Sequence, residues 1–506
     1  MKNLLKLRKI ILAKETIDIL IIILFLSGIA FLIYYLQLTR SLKPKYGGFY
    51  KEGLFEPVNS LNPILPKNES EKAILNIIYP PLIEFDNGKI VSKFLNSYYF
   101  SPDRLTLSLE LKNLKWSDGS KITTDDLAFS FDLFKKYLPP EIADNFKNTQ
   151  IKIIDQNRAE INLNSNNNYF FFNLNNLKIL PAKIFSGLDF NNFDKQILKV
   201  GSGPFIFDSI KTKGEITIIH LKRNEFYEPR PYLNEIFFYV FPSTKSAFYA
   251  LLLKEIDGLA GLNYLEFPQN ISFHYKFYRI VLPRIIGIFF NSQKIDKKIV
   301  NTFESNINRE EIKKYIFKNN AEVSYGIFSP TIRKIFSLPD LNQKINQNTS
   351  TTDQLQSLKI ITPTSYFYPE IARYLKEKYR LDIEFVSSEN LNEILTNKNY
   401  QAILSGLNYD HPPSLPSFFS KLGYNINNLD NLDLEKAFQQ LITDPRIKMN
   451  EKLGEIEEKI LTTKTNIFLV NPYYLYLINK KIVGFDQFYL TKPEARFVKI
   501  EFWYRR

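Results

Sequence analysis

The chain contains no cysteine. That excludes disulfides, thiolate metal sites, iron–sulfur clusters, cysteine nucleophiles and a lipid-modified N-terminal cysteine. Histidine is almost as scarce, with three in 506 residues (His220, His274 and His411), far apart in sequence. Such a supply argues against a multi-histidine metal centre and against a Ser-His-Asp machine. No zinc finger, RNA-binding signature or long basic block is present. The net charge of +13, from 66 Lys and Arg against 53 Asp and Glu, is spread along the chain among Asn and Ile. It reads as a solvated surface, and no nucleic-acid partner is expected. What remains is ordinary globular material, 44% hydrophobic and 24% charged. At about 150 residues per domain the length suggests roughly three units.

The one long uncharged apolar run covers residues 19–39, ILIIILFLSGIAFLIYYLQLT. As a helix it would be roughly 31 Å long, enough to cross a bilayer core. Lys2, Lys6, Arg8, Lys9 and Lys14 precede it, and Arg40, Lys43 and Lys45 follow. The excess on the N-terminal side favours a cytoplasmic N-terminus. Residues 27–30 are the only small cluster, and cleavage there would leave FLIYYL on the mature end, so an uncleaved signal anchor is the preferred reading. The expected layout is a cytoplasmic basic tail (1–18), a transmembrane anchor (19–39), a linker carrying SLKPKYGG (40–48) and an exported, extracytoplasmic remainder.

Beyond the linker, short strands alternate with helices, which predicts α/β lobes. LTLSLEL at 105–111 alternates strictly and predicts a half-buried strand. Asp86-Asn87-Gly88 predicts a hairpin turn. TTDD at 123–126 predicts a capped helix start running to about Tyr137, rather than a paired-carboxylate catalytic site. Residues 358–386 predict a β–α–β unit. NLNSNNNYFFFNLNN at 162–176 reads as a low-complexity loop with an aromatic cluster that needs burial. There is no internal repeat.

Five segments, in order, resemble the family 5 extracellular solute-binding proteins, the oligopeptide- and dipeptide-binding receptors of ABC importers. They are YPPLIEFDNGKIVS (79–92), LTLSLELKNLKWSDGSKITTDDLAFSF (105–131), VGSGPF (200–205) leading into LKRNEFYEPRPYL (221–233), FFN followed by INREEI (289–312), and YQAILSGLNYDHPPSLPSFF (400–419). The family's Gly-Trp is Gly406-Leu407 here, and the first acid of the last segment is Gln401.

The resemblance implies a two-lobed periplasmic-binding-protein fold of type II, α/β, with an extra subdomain, behind one N-terminal transmembrane helix. Lobe 1 is expected over 49–274, with the subdomain near 90–170, lobe 2 over 275–470, and a return to lobe 1 over 471–506. It implies a monomeric receptor that closes on a peptide and hands it to a membrane permease with cytoplasmic ATPases. No cofactor, metal or catalytic residue is implied. A sugar or nickel-chelate ligand, or a divergent non-transport surface protein or peptide chaperone, are the alternative readings.

Asp410 is the residue implied to hold a peptide's α-ammonium group, since a charge buried on closure needs a carboxylate beside it. Gly406, Leu407, Asn408 and Tyr409 are implied to lie along the ligand, where main chain can pair with an extended peptide. Glu56 sits in the first strand, whose counterpart in relatives flanks the peptide. Tyr366 and Tyr368 lie between a strand and a helix, where binding loops sit. Trp116, Asp118 and Gly119 read as a structural turn, and Gly201 and Gly203 as a backbone crossing rather than a phosphate loop.

Overall fold

The computed structural model describes residues 22–33, 35, 44–87, 89–137, 146–190, 193, 195–262, 271–341, 358–365, 367–409 and 415–506. Its backbone is one large sheet of twelve strands in two halves. The first half runs Gly258–Ala260, Phe49–Leu54, Glu235–Val240, Ile216–Arg223, Phe205–Lys213. The second runs Asp382–Val386, Lys359–Pro363, Ala402–Asn408, Arg284–Phe290.

A single strand, Asn466–Asn479, belongs to both halves. Its residues 466–470 pair with Arg284–Phe290, and its residues 473–479 pair with Tyr275–Val281. The partners change around Pro472, a residue that has no N–H to donate to a ladder. The chain also changes halves at Leu282 and Pro283, between the strands Tyr275–Val281 and Arg284–Phe290. These two crossings join the lobes. Because Tyr275–Val281 pairs within the first half, the change-over falls at 282–283 and not at the expected 275.

Each half is covered on both faces, which explains its nearly continuous burial. Ile288, Phe303, Ile371 and Ala402 pack on one face of the second half, and Phe289, Phe438, Ile456 and Phe468 on the other. A separate four-stranded antiparallel sheet, spanning residues 95–162, forms the extra layer on the first lobe. Its strand Thr106–Leu111 buries every second residue, as its alternation predicts.

Local signals built as read. Asn87 takes a left-handed conformation (φ 47°) in the turn between the paired strands Glu84–Asp86 and Lys89–Val91. Gly119 has φ 88° above a Trp116 that is 2% exposed. Asp126 is the hub of the helix start at Thr124–Tyr137, accepting from Thr123 N, Ala182 N and Trp116 Nε1 at 3.0, 2.9 and 3.3 Å. Gly203 is where two main chains cross: its N–H donates to Ile78 O at 2.9 Å, and a Cβ there would stand 1.9 Å from Ile77 O. Asn224, of the Arg-Asn pair in the third motif, closes the crossing by donating Nδ2 to Gly203 O at 2.9 Å.

The anchor expected over 19–39 lies partly outside the described residues. Within it, 22–33 and 35 are helical, with apolar side chains such as Leu24 and Phe25 exposed. Among the described residues no helix is long and apolar enough to cross a membrane.

Candidate functional site

Two cavities lie at the crossings between the lobes. The larger, about 560 Å³, takes Pro63–Pro66, Lys72, Lys178 and Glu494 from the first lobe and Asn408 and Tyr409 from the second. The smaller, about 260 Å³, takes Glu56, Gly261 and Arg496 from the first lobe and Ser365 and Phe367 from the second. Glu69 and Arg284 line both. Volumes of this size suit a small ligand enclosed on several sides.

Glu69 is placed by the helix Glu69–Ile78. Asn68 caps that helix by accepting from Glu71 N, and the acids of its first turn suit its positive end. The cap puts Glu69 at the first helical position, on the cavity wall. Glu71, fully buried, collects the main-chain N–H groups of Asn59, Ser60 and Lys67 at 2.9–3.0 Å. Burial alone would raise its carboxyl, but those three donors win and hold it below the usual range. They also pin the loop whose Pro63–Pro66 stretch walls the larger cavity.

Behind the smaller cavity is a buried charge network. Arg496, 2% exposed, donates Nε to Glu52 Oε1 at 3.1 Å and Nη1 to Pro493 O at 3.0 Å, and its Nη1 stands 3.5 Å from Glu69 Oε1. Glu52 is fully buried and also accepts from Tyr50 and Tyr476. Burial pushes its carboxyl up, and the Arg496 charge opposes that. Tyr474 donates to Glu69 at 2.5 Å. The network fixes Glu69, one of the three acids that line the two cavities.

From the second lobe, Arg284 donates Nε to Asn408 Oδ1 at 2.8 Å, and Tyr409 N–H donates to Pro283 O at 3.0 Å. The end of the strand Ala402–Asn408 is thereby tied to the crossing.

Of the residues singled out in the sequence, Asn408 and Tyr409 line the larger cavity and Glu56 the smaller. Glu56 accepts from Ser70 N at 3.1 Å. Leu407 is in the second-lobe core, 1% exposed, because strand alternation turns it away from the side Asn408 faces. Tyr368 is also core, 8% exposed, with its hydroxyl packed over Gly406, where a Cβ would come within 2.5 Å of it. Neither Leu407 nor Tyr368 lines the two cavities. Asp410 and Tyr366 lie outside the described residues, as does His411. The residues missed in the sequence are Glu69, Arg284, Lys178 and Arg496. The Asn68 cap could have flagged the first, and nothing local distinguishes the other three.

A further contact joins the lobes away from the cavities. Asn168 Nδ2 donates to Leu441 O (3.0 Å) and Asp444 O (2.8 Å), Asn166 Nδ2 to Thr443 O (2.8 Å), and Asn168 N–H to Ile442 O (2.8 Å). These carbonyls close the second-lobe helix Leu432–Thr443, and Tyr169 packs into the second-lobe core. The Asn-rich segment read as a loop is therefore a helix C-terminal cap supplied from the other lobe.

Comparison with known proteins agrees with this architecture. Oligopeptide-binding protein AppA of Bacillus subtilis is 24% identical over 310 residues, 57% of this chain and 55% of that protein. The chain thus matches about half the length of that curated relative. The structure of AppA in complex with a nonapeptide superposes with a TM-score of 0.69 at 19% identity, over 92% of this chain and all of that one. The ABC transporter substrate binding protein CtaP of Listeria monocytogenes gives 0.77 at 20%, over 91% of this chain and all of its own. NikZ of Campylobacter jejuni, in complex with Ni(L-His), gives 0.66 at 16%, over 90% and 99%. These likenesses establish a two-lobed periplasmic-binding-protein fold. The model of the bacterial extracellular solute-binding proteins, family 5 (middle), matches residues 89–428, and the chain belongs to that family.

Proposed function

We propose that this chain is an extracytoplasmic receptor that captures peptides between its lobes by hinge closure and delivers them to an ABC importer. The observation that carries this is the pair of cavities at the two chain crossings, each walled from both lobes. A ligand there touches both lobes only when they are together, so binding and closure are one equilibrium. AppA, described with a nonapeptide, favours a peptide. Asp410 directly follows Tyr409 of the cavity wall and is assigned the α-ammonium group of the ligand.

The test is native mass spectrometry of the full-length protein in mild detergent, with identification of any released ligand. Peptides are expected, and Asp410→Ala is expected to weaken peptide binding about 10- to 100-fold, the worth of a hydrogen bond to a charged group. Saturating peptide at 100 times Kd should stabilise the wild type by about 2.7 kcal/mol. A released sugar would refute the peptide reading. So would a nickel chelate, which the NikZ fold accommodates. An empty protein that no peptide mixture stabilises would refute it too.

The same proposal includes tethering through residues 19–39, supported by the uncharged run and the exposed apolar side chains of 22–33. In cells the protein should stay in the membrane pellet after alkaline carbonate washing, and a chain lacking residues 1–43 should not. Release of the full-length protein by the wash would remove the anchor.

A further inference from the structure

The larger cavity carries four basic side chains, Lys72, Lys178, Arg284 and Lys492, against the acids Glu69 and Glu494. Most have visible roles. Arg284 holds Asn408, Lys492 Nζ donates to Asn176 Oδ1 at 2.6 Å, and Lys72 is exposed to solvent.

Lys178 is different. It is only 9% exposed, and among the described residues no carboxylate lies within ion-pairing distance of its ammonium and no hydrogen bond holds it. Its neighbours Leu177, Ile179 and Leu180 are fully buried, and its main chain bridges to Pro81, so its backbone is fixed in the wall. An ammonium group has three donors, and this one, on a nearly buried side chain, faces the cavity, where it loses part of its hydration and gains no protein acceptor in return. Burial pushes this group down to about 8; Glu494 and Glu84 oppose that from a distance, while Lys492 and Lys72 add to it. A folded protein that keeps such a group facing a cavity has left a place for an anion.

We propose that Lys178 anchors a carboxylate of the bound ligand from the first-lobe wall of the larger cavity. This rests on the reading that the ligand sits between the lobes, and adds the ligand's chemistry: the carboxylate is taken by the first lobe, opposite the second-lobe segment ending in Asn408 and Tyr409. The carboxylate is either a peptide's C-terminus or an Asp or Glu side chain.

Full-length wild type and Lys178→Met are titrated calorimetrically with peptides of matched length. The probes are an all-alanine free acid, its C-terminal amide, and the amide carrying one Glu, with N-acetylated amino acids and citrate as non-peptide carboxylates. The free acid is expected to bind about 10- to 100-fold more tightly than the amide, and Lys178→Met to erase that difference. If the Glu-containing amide recovers the affinity instead, the side chain is the source. In the wild type the preference should fade above pH 8, where binding must take up a proton, and in Lys178→Met it should be flat. Ligand-free Lys178→Met should be at least as stable as wild type, because an unpaired and partly desolvated charge has gone; a merely structural lysine would give a loss.

Peptides that bind wild type and Lys178→Met alike, whatever their terminus, would overturn the proposal and leave the peptide reading standing. Non-peptide carboxylates that bind through Lys178 while no peptide does would keep the proposal and overturn that reading. No binding by any probe would overturn both.

Discussion

Arg496→Met is expected to destabilise the protein by about 3–5 kcal/mol in urea unfolding. Out of a typical 5–15 kcal/mol, that is a large share of the fold. The reason is what stays behind. Glu52 is fully buried, and Arg496 is the cation that faces it, at 3.1 Å. Tyr50 and Tyr476 donate to the same carboxylate, and their hydroxyls are 2.7 Å apart. Hydroxyls can solvate a charge but cannot neutralise it, so the variant keeps an anion in the core. Met replaces the stem but not the stacking of the guanidinium over Phe497, 4.5 Å from its centroid.

The loss should depend on pH with a definite sign. Burial already raises the Glu52 carboxyl, and removing Arg496 removes the opposing charge. A carboxyl whose folded value is raised is favourable at low pH, and its contribution is lost as pH rises through that value. The variant's deficit should therefore be smaller at pH 5 than at pH 8. Arg496→Met combined with Glu52→Gln should recover much of the stability, since both charges are then gone. A single-variant loss under 1 kcal/mol, or a double variant no better than the single, would mean the network does not hold the fold. Glu69 should report the same event, because its carboxylate lines both cavities and stands 3.5 Å from Arg496.

How much of this was legible in the sequence follows from the range of each interaction. Alternation at 106–111, the Asn-Gly turn, the β–α–β unit and the crowded Gly203 depend on neighbours in the chain or on absolute steric limits, and they were readable. Nothing local marks the strand Asn466–Asn479 as shared between the halves, because its two sets of partners come from residues 258–323. The site divides in the same way. Asn408 and Tyr409 were found through a motif, and they line the cavity. Leu407 was taken with them, although strand geometry turns its side chain away from the face of Asn408 and into the core that the Tyr409 ring also enters. Lys178 and Arg496 are two of 66 basic residues, and only long-range packing makes one unpaired and the other paired. The Asn-rich stretch shows the reverse error: composition suggested a loop, while the amides of Asn166 and Asn168 have specific carbonyls in the other lobe.

That stretch carries the last large effect. Asn166→Ala with Asn168→Ala should lower ligand affinity about 10- to 1000-fold without touching either cavity. The two amides make three bonds to carbonyls at the end of Leu432–Thr443. Helix-terminal carbonyls have no partner within their own helix, so with the lobes apart they face water, and with the lobes together they need these amides. Each bond is worth about 0.5–1.5 kcal/mol net, and all three exist only when first-lobe residues 166–168 meet the second lobe. Their loss falls on the closed state, and a ligand that binds by closing the lobes then spends part of its binding free energy on the missing contacts. The effect should appear as faster dissociation, since these bonds must break before the lobes part and release the ligand. Small-angle scattering of the ligand-free variant should show a more open average shape than wild type, with urea stability nearly unchanged. If the double variant binds as tightly as wild type and scatters identically, the contact is passive packing and closure is held by the cleft alone. If affinity falls and unfolding stability falls by the same free energy, the asparagines stabilise the fold and do not bias closure. Only the first pattern, weaker binding with a wider ligand-free shape and an intact fold, makes the Asn-rich segment the part of this receptor that sets how firmly it shuts.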